Sequence, residues 1–233
     1  MHCTAMTNPS LPTTTPAPTA HDPIGSAEVI RLFPTFLWKT RLRPELMARI
    51  SAGILARIDA LMREAAPIEP GACWQSSHGL HRDEALAELM GAINQEVRDV
   101  LMFLKADEAQ FRMTGCWANV HAPGGFHAMH SHPNNFLSGV YYVQSQAGAD
   151  TINFHDPRPQ TAIMRPPVTA LTAYNTDQVV VQVAPGTLLL FPAWLPHSVD
   201  RNRSTEQRIS VSFNVMFDNY AQRMSEPLWG EPD

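Results

Sequence analysis

Four of the ten histidines of this 233-residue chain lie within twelve residues, between His121 and His132. In this stretch, one residue separates His130 from His132. Alternate residues of an extended chain point to the same face, about 7 Å apart, so these two imidazoles can converge on one metal ion. Pairs with this spacing are also common on exposed loops, and the pair alone does not decide the matter. We expect His127 to be a solvated loop histidine.

A third metal ligand is offered by His197, which follows a strongly apolar run at 187–191. Further on, polar and apolar residues alternate without a slip, and one face carries Arg208, Ser210, Ser212 and Asn214. On an ordinary half-buried strand this face would contact water. If it lines a pocket, Arg208 can bind a carboxylate through two parallel hydrogen bonds, and Ser210 can add another. A metal ligand at the end of one strand with Arg-x-Ser on the next favours the pocket.

The elements that must position these residues are short strands. From residue 111 onward, runs rich in Val, Tyr, Phe and Thr alternate with Gly, Pro and Asn, which is typical of a sandwich or barrel. The predicted strands span 111–121, 137–143, 151–154, 178–183, 187–191 and 207–217.

Two amphipathic helices precede these strands. The first is predicted to begin near Arg43, with Pro44 in its first turn, and the second to run from Asp83, its N-cap, to about Lys105. We also predict strand-like segments at 29–33 and 36–38 and a loop at 71–82. Helices followed by strands predict an α+β, mainly β domain in which the helices cover one sheet face.

The composition narrows the classes of partner and location. The chain has 17 basic and 22 acidic residues, a net charge of −5 and no basic cluster, so we expect neither nucleic acid nor a membrane surface as a partner. It has no apolar run of about 18 residues, so no membrane span is expected. Cys3, Cys73 and Cys116 are far apart, which indicates thiols in a reducing cytoplasm rather than a disulfide framework.

The domain organisation is expected to be simple. Residues 1–23 are rich in Thr and Pro and lack the basic and apolar regions of a secretory signal, so we predict a disordered tail. Residues 24–233 are predicted to form a single domain, because all-β sandwiches and barrels often reach this length as one unit.

Several short motifs together resemble the 2-oxoglutarate/iron(II) dioxygenase superfamily. These motifs are His130-x-His132, Ser138-Gly-Val-Tyr-Tyr142-Val, Pro185-Gly186-x-Leu-x-x-Phe191, His197 and Arg208-x-Ser210. Over about residues 28–217, the chain is similar to a bacterial family of oxygenases related to prolyl hydroxylases. The segments that carry this likeness are Leu32-Phe33-Pro34-Thr35, Trp74-Gln75-Ser76, Trp117-x-Asn119-Val and Phe154-x-Asp156-Pro-Arg158. The resemblance implies a double-stranded β-helix, a jelly-roll or cupin-like fold, with N-terminal helices packed on one sheet.

The resemblance also implies an iron(II) site that leaves positions open for 2-oxoglutarate and O2. His130 and His197 match the two histidines of the superfamily, whereas His132 stands where its motif usually has Asp. Three interpretations of His132 stay open. It is a true third ligand, which we favour; it lies beside the ligands while Asp156 or water completes the site; or the site has lost its metal.

The resemblance assigns further roles around the cosubstrate. Arg208 and Ser210 would bind the distal carboxylate of 2-oxoglutarate, and the phenol of Tyr142 would donate a hydrogen bond to it. Ser138, four residues before Tyr142, lies on the same strand face. Asn119 is a candidate for contact with cosubstrate or substrate. A packing role for Tyr142 and a structural hydrogen bond for Asn119 are equal alternatives.

The expected function is hydroxylation of a small molecule, an amino acid or a peptide side chain, with succinate and CO2 as co-products. Two alternatives stay open. One is a three-histidine cupin-type dioxygenase that binds its substrate directly and needs no 2-oxoglutarate. The other is a non-catalytic binding module of the same fold. The sequence is also compatible with a homodimer, and it does not identify the substrate.

Overall fold

The computed structural model describes residues 28–106, 110–158, 164 and 167–221, and the predicted tail at 1–23 lies outside them. The N-terminal elements are β1 (Trp38–Arg41), α1 (Pro44–Met62), β2 (Cys73–Gln75), two 3-10 turns (Leu80–Arg82 and Glu84–Leu86) and α2 (Ala87–Phe103). The strands that follow are β3 (Phe111–His121), β4 (His127–His130), β5 (Leu137–Gln144), β6 (Thr151–His155), β7 (Gln178–Gln182), β8 (Thr187–Pro192), β9 (His197–Val199) and β10 (Arg208–Phe217). A short helix, α3 (Asp218–Ala221), follows β10.

The strands form two antiparallel sheets. The larger sheet has the order β1-β8-β5-β10-β3-β2, and the smaller one has the order β4-β9-β6-β7. Neighbouring strands of the larger sheet are far apart in the sequence: β5 pairs with β8 on one side and with β10 on the other. Tyr142 and Phe191 of the larger sheet meet Phe154 of the smaller one in a buried core. This is the jelly-roll arrangement that the resemblance implies, and the predicted fold class is confirmed.

Both long helices pack on the outer face of the larger sheet. Along α1, Ile50, Ile54 and Ile58 recur every four residues and are buried. One face of α2 is buried in the same way, through Leu89, Ile93, Val97 and Val100. These faces join a core that includes Tyr141 of β5 and Phe213 of β10. In the described part of the chain, no helix has the length and apolarity needed to cross a membrane.

Strand β10 separates the helix-covered core from the space between the sheets. Ile209, Val211 and Phe213 belong to the core under the helices. Arg208 and Ser210 line a cavity on the other face, where they are only 3% and 4% exposed. The polar face of this strand is therefore enclosed by the second sheet and does not form an ordinary solvated surface.

Two predictions for the N-terminal third are wrong. Residues 29–33 are described and form no strand, and the left-handed backbone of Phe33, with φ of 52°, interrupts an extended chain. The segment 71–82, predicted as a loop, contains β2, because Trp74 pairs with Val120 of β3. A three-residue edge strand is too short for alternation to reveal it.

A pair of glycine substitutions tests this packing. A Cβ at Gly139 of β5 would overlap the Phe213 ring and lie 2.7 Å from the carbonyl oxygen of Leu189. We expect Gly139→Ala to lower the free energy of unfolding by about 1–3 kcal/mol, measured by urea unfolding followed by circular dichroism. A Cβ at Gly91 of α2 would meet nothing within 4 Å. The control Gly91→Ala should therefore raise stability by about 0.5–1 kcal/mol, and the opposite order would contradict this packing.

Candidate metal and cosubstrate site

Three histidines converge at one end of the cavity between the sheets. His130 ends β4 and lies directly across from His197, the first residue of β9. The ring centres are 4.4 Å apart for His130 and His197 and 5.1 Å apart for each pair that includes His132. Each ring offers a nitrogen within 4.8 Å of those of the other two. The predicted set of metal ligands is therefore brought together.

Backbone carbonyls orient two of these rings. Nδ1 of His130 donates to the carbonyl oxygen of Ala128 at 2.8 Å, and Nδ1 of His197 donates to that of Leu195 at 3.0 Å. A hydrogen on Nδ1 leaves Nε2 with the lone pair that a metal requires. The backbone N–H of His132 donates to Ala193 at 2.9 Å, which holds the segment after β4 against the β8–β9 turn.

The surroundings of His132 and His197 favour neutral imidazoles at these two positions. Burial, reinforced by the neighbouring histidines, lowers the pKa of His132 to about 3. Burial also lowers the pKa of His197 to about 4. Both rings are therefore unprotonated at neutral pH and can act as ligands without first losing a proton.

No carboxylate lies among the described residues that line this cavity. Asp156, the alternative ligand, instead accepts hydrogen bonds from the side chain of Arg158, and the shortest contact is 2.7 Å. The arrangement favours His132 over Asp156 as the third ligand.

Arg208 lies in the same cavity and is deeply buried. Its Nη1 donates to the carbonyl oxygen of Thr151 at 3.0 Å, whereas its Nε has no hydrogen-bond partner among the described residues. The guanidinium carbon lies 5.2 Å from the ring centre of Tyr142, whose buried hydroxyl is also without a partner in the described part of the chain. Burial raises the pKa of Tyr142, so the phenol keeps its proton and can donate it. The buried N–H of Arg208 Nε and the buried hydroxyl of Tyr142 can therefore both donate hydrogen bonds to a bound anion.

The remaining predicted residues divide into two groups. Ser210 pairs with Tyr142 on one side and Asn119 on the other, and all three line the cavity. The amide of Asn119 is already used, because it accepts from Gln75 at 2.7 Å and donates to Ser212 at 2.9 Å. Ser138 is not among the lining residues.

The Ser138 hydroxyl donates to Asn214 at 2.7 Å, so it is bound within the protein. Although Ser138 shares a strand face with Tyr142, it lies four residues away along the strand, and it does not line the cavity. Strand alternation predicts the face of a residue but not how far along the strand a cavity extends.

Two histidines of the cavity wall were not among the predicted site residues. His121, the last residue of β3, is 2% exposed. His127, expected in solvent, is half-buried, and its ring centre lies 4.5 Å from that of His121 and 6.0 Å from that of His130. The clustering of four histidines was a usable signal, but only the tertiary structure shows that His127 turns inward at the start of β4.

A family model described as "Putative 2OG-Fe(II) oxygenase" matches residues 115–214. The matched range includes His130, His132, His197 and Arg208, so the family resemblance of the sequence is confirmed. The matched range covers less than half of the chain and includes most of the strands that carry the candidate site. A search of curated proteins found no match.

Solved structures show the same fold at low sequence identity. The α-ketoglutarate-dependent epimerase SnoN from nogalamycin biosynthesis is 14% identical, with a TM-score of 0.56 and coverage of 78% of this chain and 79% of SnoN. HygX from Streptomyces hygroscopicus, solved with nickel and 2-oxoglutarate, is 12% identical, with a TM-score of 0.55 and coverage of 82% and 85%. A Pseudomonas putida prolyl-4-hydroxylase is 17% identical, with a TM-score of 0.51 and coverage of 78% and 93%.

The residues present fit the metal and the cosubstrate that the family description names. Imidazole nitrogens suit Fe(II), and the three histidines offer ring nitrogens that lie within 4.8 Å of one another. The buried guanidinium and phenol suit a carboxylate. The three histidines and the Arg208–Tyr142 pair line one cavity, which has a volume of about 490 Å³ when its open mouth is included.

The buried histidines predict how stability depends on pH. Burial lowers the pKa to about 3 for His121 and His132 and to about 4 for His127 and His197. In the unfolded chain these groups titrate near pH 6.5, so between about pH 6.5 and 4 the unfolded state binds more protons. The free energy of unfolding of metal-free protein should therefore be fully retained above pH 6.5 and fall as the pH is lowered through this range. Urea unfolding at pH 7.5, 6 and 5 in the presence of a chelator measures it, and a constant free energy from pH 7.5 to 5 would contradict the burial of these rings.

Proposed function

We propose that this chain is a non-haem iron(II)- and 2-oxoglutarate-dependent oxygenase that hydroxylates a small molecule, an amino acid or a peptide side chain and releases succinate and CO2. The proposal depends on one observation: the same cavity holds three converging imidazoles and the buried guanidinium of Arg208. A molecule with a chelating keto-acid group at one end and a carboxylate at the other complements both of these features.

His130, His132 and His197 would hold the iron(II) ion. When bound with O2, the ion supplies the redox chemistry that couples decarboxylation of 2-oxoglutarate to oxidation of a substrate C–H bond. The backbone carbonyls of Ala128 and Leu195 fix the ring orientations of His130 and His197 before any metal arrives. Such preorganisation lowers the cost of forming the site.

Arg208 would bind the distal carboxylate of the cosubstrate. Its unpartnered Nε and the adjacent Tyr142 hydroxyl are two donors at one place, and Ser210 lies next along the same strand face. A planar guanidinium that donates two parallel hydrogen bonds fixes both the position and the direction of a carboxylate. The keto-acid end is thereby directed towards the histidines.

The neutral ligand set makes the cosubstrate electrostatically important. A site with three histidines gives the metal no compensating negative charge, and Arg208 adds a further positive charge to the cavity. The two carboxylates of 2-oxoglutarate offset both. Metal binding and cosubstrate binding are therefore expected to be tightly coupled in this chain.

The apolar part of the wall would keep water away from the reacting groups. Val140, Ile152, Phe191 and Val199 line the cavity together with the histidines. Exclusion of water strengthens the electrostatic interactions inside and protects reactive species from side reactions. The exposed His130 borders the opening, which is therefore the expected side of substrate entry.

Two alternatives make different use of the same residues. A three-histidine dioxygenase that binds its substrate directly would suit the donor set, but it would need no buried cation in the cavity. Arg208 beside Tyr142 therefore favours 2-oxoglutarate. A non-catalytic module would bind the metal and the cosubstrate without turnover, and assay of succinate formation distinguishes it.

We also propose a cytoplasmic location. Cys73 and Cys116 are both free thiols in the structure, as expected in a reducing compartment.

The first prediction concerns the cosubstrate anchor. We expect Arg208→Ala to raise the dissociation constant of 2-oxoglutarate by about 30-fold or more, which corresponds to about 2 kcal/mol, because a buried ionic contact is lost. Anaerobic titration of the iron(II)-loaded protein, followed through its weak visible charge-transfer band, measures binding without a known substrate. Arg49→Ala is the control, since Arg49 pairs with Glu88 on the helical surface. Equal 2-oxoglutarate affinity in the two variants would exclude the proposed role of Arg208.

The second prediction concerns the third ligand. We expect His132→Ala to lower iron(II) affinity by more than about tenfold, whereas His132→Asp, which restores a carboxylate, should bind iron(II) at least as tightly as the parent protein. Equilibrium dialysis with iron analysis measures both. His155→Ala serves as the control, because that imidazole bonds to Ser198 at 2.9 Å, outside the cluster. If both His132 variants bound iron(II) like this control, His132 would not be a ligand.

A further inference from the structure

A second group of metal-binding side chains lies beside the three histidines. Cys73, His121 and His127 each offer one ligand atom, and these atoms lie within 4.8 Å of one another. The sulfur of Cys73 lies 3.5 Å from Nε2 of His127. None of these residues belongs to the cluster of His130, His132 and His197.

Strand register explains why these side chains meet. His121 of β3 lies directly opposite Cys73 of β2 on one side and Arg208 of β10 on the other. Side chains opposite one another in adjacent strands have Cβ atoms about 4.5–5.5 Å apart, so Cys73 and His121 are forced together. His127 reaches them from the smaller sheet, and the group therefore spans both sheets.

The turn between His121 and His127 packs closely against the backbone of Ala72. A Cβ at Gly125 would lie 2.6 Å from the carbonyl oxygen of Ala72 and 3.3 Å from the Cβ of His121. Only glycine allows the chain to return this tightly, and the return places His127 against His121.

His121 supplies the second observation that points to a ligand. It is 2% exposed, and both of its ring nitrogens are buried without a hydrogen-bond partner among the described residues. Native proteins seldom leave buried polar atoms unpaired, and each such atom requires an explanation. A bound cation would use one of these nitrogens directly.

We propose that Cys73, His121 and His127 form a second metal site, which binds a thiophilic dication such as Zn²⁺. One sulfur and two imidazole nitrogens are a donor set that suits Zn²⁺, and its fourth position is open to water. The ion would connect β2 and β3 of the larger sheet to β4 of the smaller one and so close one end of the cavity. The site does not depend on the proposed function.

Protonation and charge set the conditions for binding. Burial raises the pKa of the Cys73 thiol to about 11, and the nearby positive charge of Arg208 opposes this shift. Metal binding must therefore displace a thiol proton, and affinity should increase with pH. The negative charge of the resulting thiolate would offset part of the positive charge that the ion and Arg208 bring to this region.

Titration with Co²⁺ tests the site, because thiolate ligation to Co²⁺ gives a near-ultraviolet charge-transfer band that a site of histidines alone cannot give. Cys3 lies outside the described residues, so full-length protein carrying Cys3→Ser is the background. We expect this protein to bind two equivalents of Co²⁺ and to show the thiolate band. Adding Cys73→Ser should abolish the band and remove one equivalent. Zn²⁺ should displace the Co²⁺ and raise the melting temperature of the background protein by more than that of the Cys73 variant, which keeps only the three-histidine site.

Two further variants serve as controls. Cys116→Ala should keep the band, since Cys116 belongs to the core under the helices, and His197→Ala should keep the band while losing the other equivalent. No thiolate band in the background protein, or a band that survives Cys73→Ser, would overturn the second site. Circular dichroism confirms that each variant is folded. If the background protein shows the thiolate band with Co²⁺ but forms no succinate when it is loaded with iron(II), only the proposed function is contradicted.

Discussion

The burial of the Arg208 guanidinium is the constraint on which the site depends. A charged group taken out of water is costly unless it is paired, and the cavity offers it one backbone carbonyl and the ring of Tyr142 but no carboxylate among its described lining residues. This unfavourable burial free energy is offset when an anion is bound next to the Arg208 guanidinium. The jelly roll makes such burial feasible, because the helices stabilise one face of the larger sheet and leave its other face free to be polar.

Much of this arrangement could be predicted from local patterns. The strict alternation from Arg208 to Val215 predicted a strand with two distinct faces, and both faces are used as the alternation requires. The four-residue spacing of Ile50, Ile54 and Ile58 predicted the buried face of α1. Predictions failed where a partner decides the outcome: β2 exists because β3 offers it an edge, and the apolar segment 29–33 forms no strand although its composition suits one.

The second cluster shows the limit of such prediction more clearly. Cys73 is 48 residues from His121 in the chain, and nothing in the local sequence relates them. Their meeting depends on the register of β2 against β3, which a shift of one residue would abolish by turning one side chain to the opposite face. The family resemblance identified the residues that match its motifs, and these do not include His121 or Cys73.

The two clusters share one electrostatic environment, which has consequences for both. His127 lies between them, and Arg208 acts on the pKa of His121, His127 and Cys73 alike. With two dications and Arg208 in one cavity, positive charge would accumulate unless anions accompany it. The Cys73 thiolate and the carboxylates of the cosubstrate are the available anions, so filling either metal site without them becomes less favourable when the other is full. Metal, thiolate and dicarboxylate are therefore expected to stabilise one another, because each offsets a charge that the fold alone leaves uncompensated.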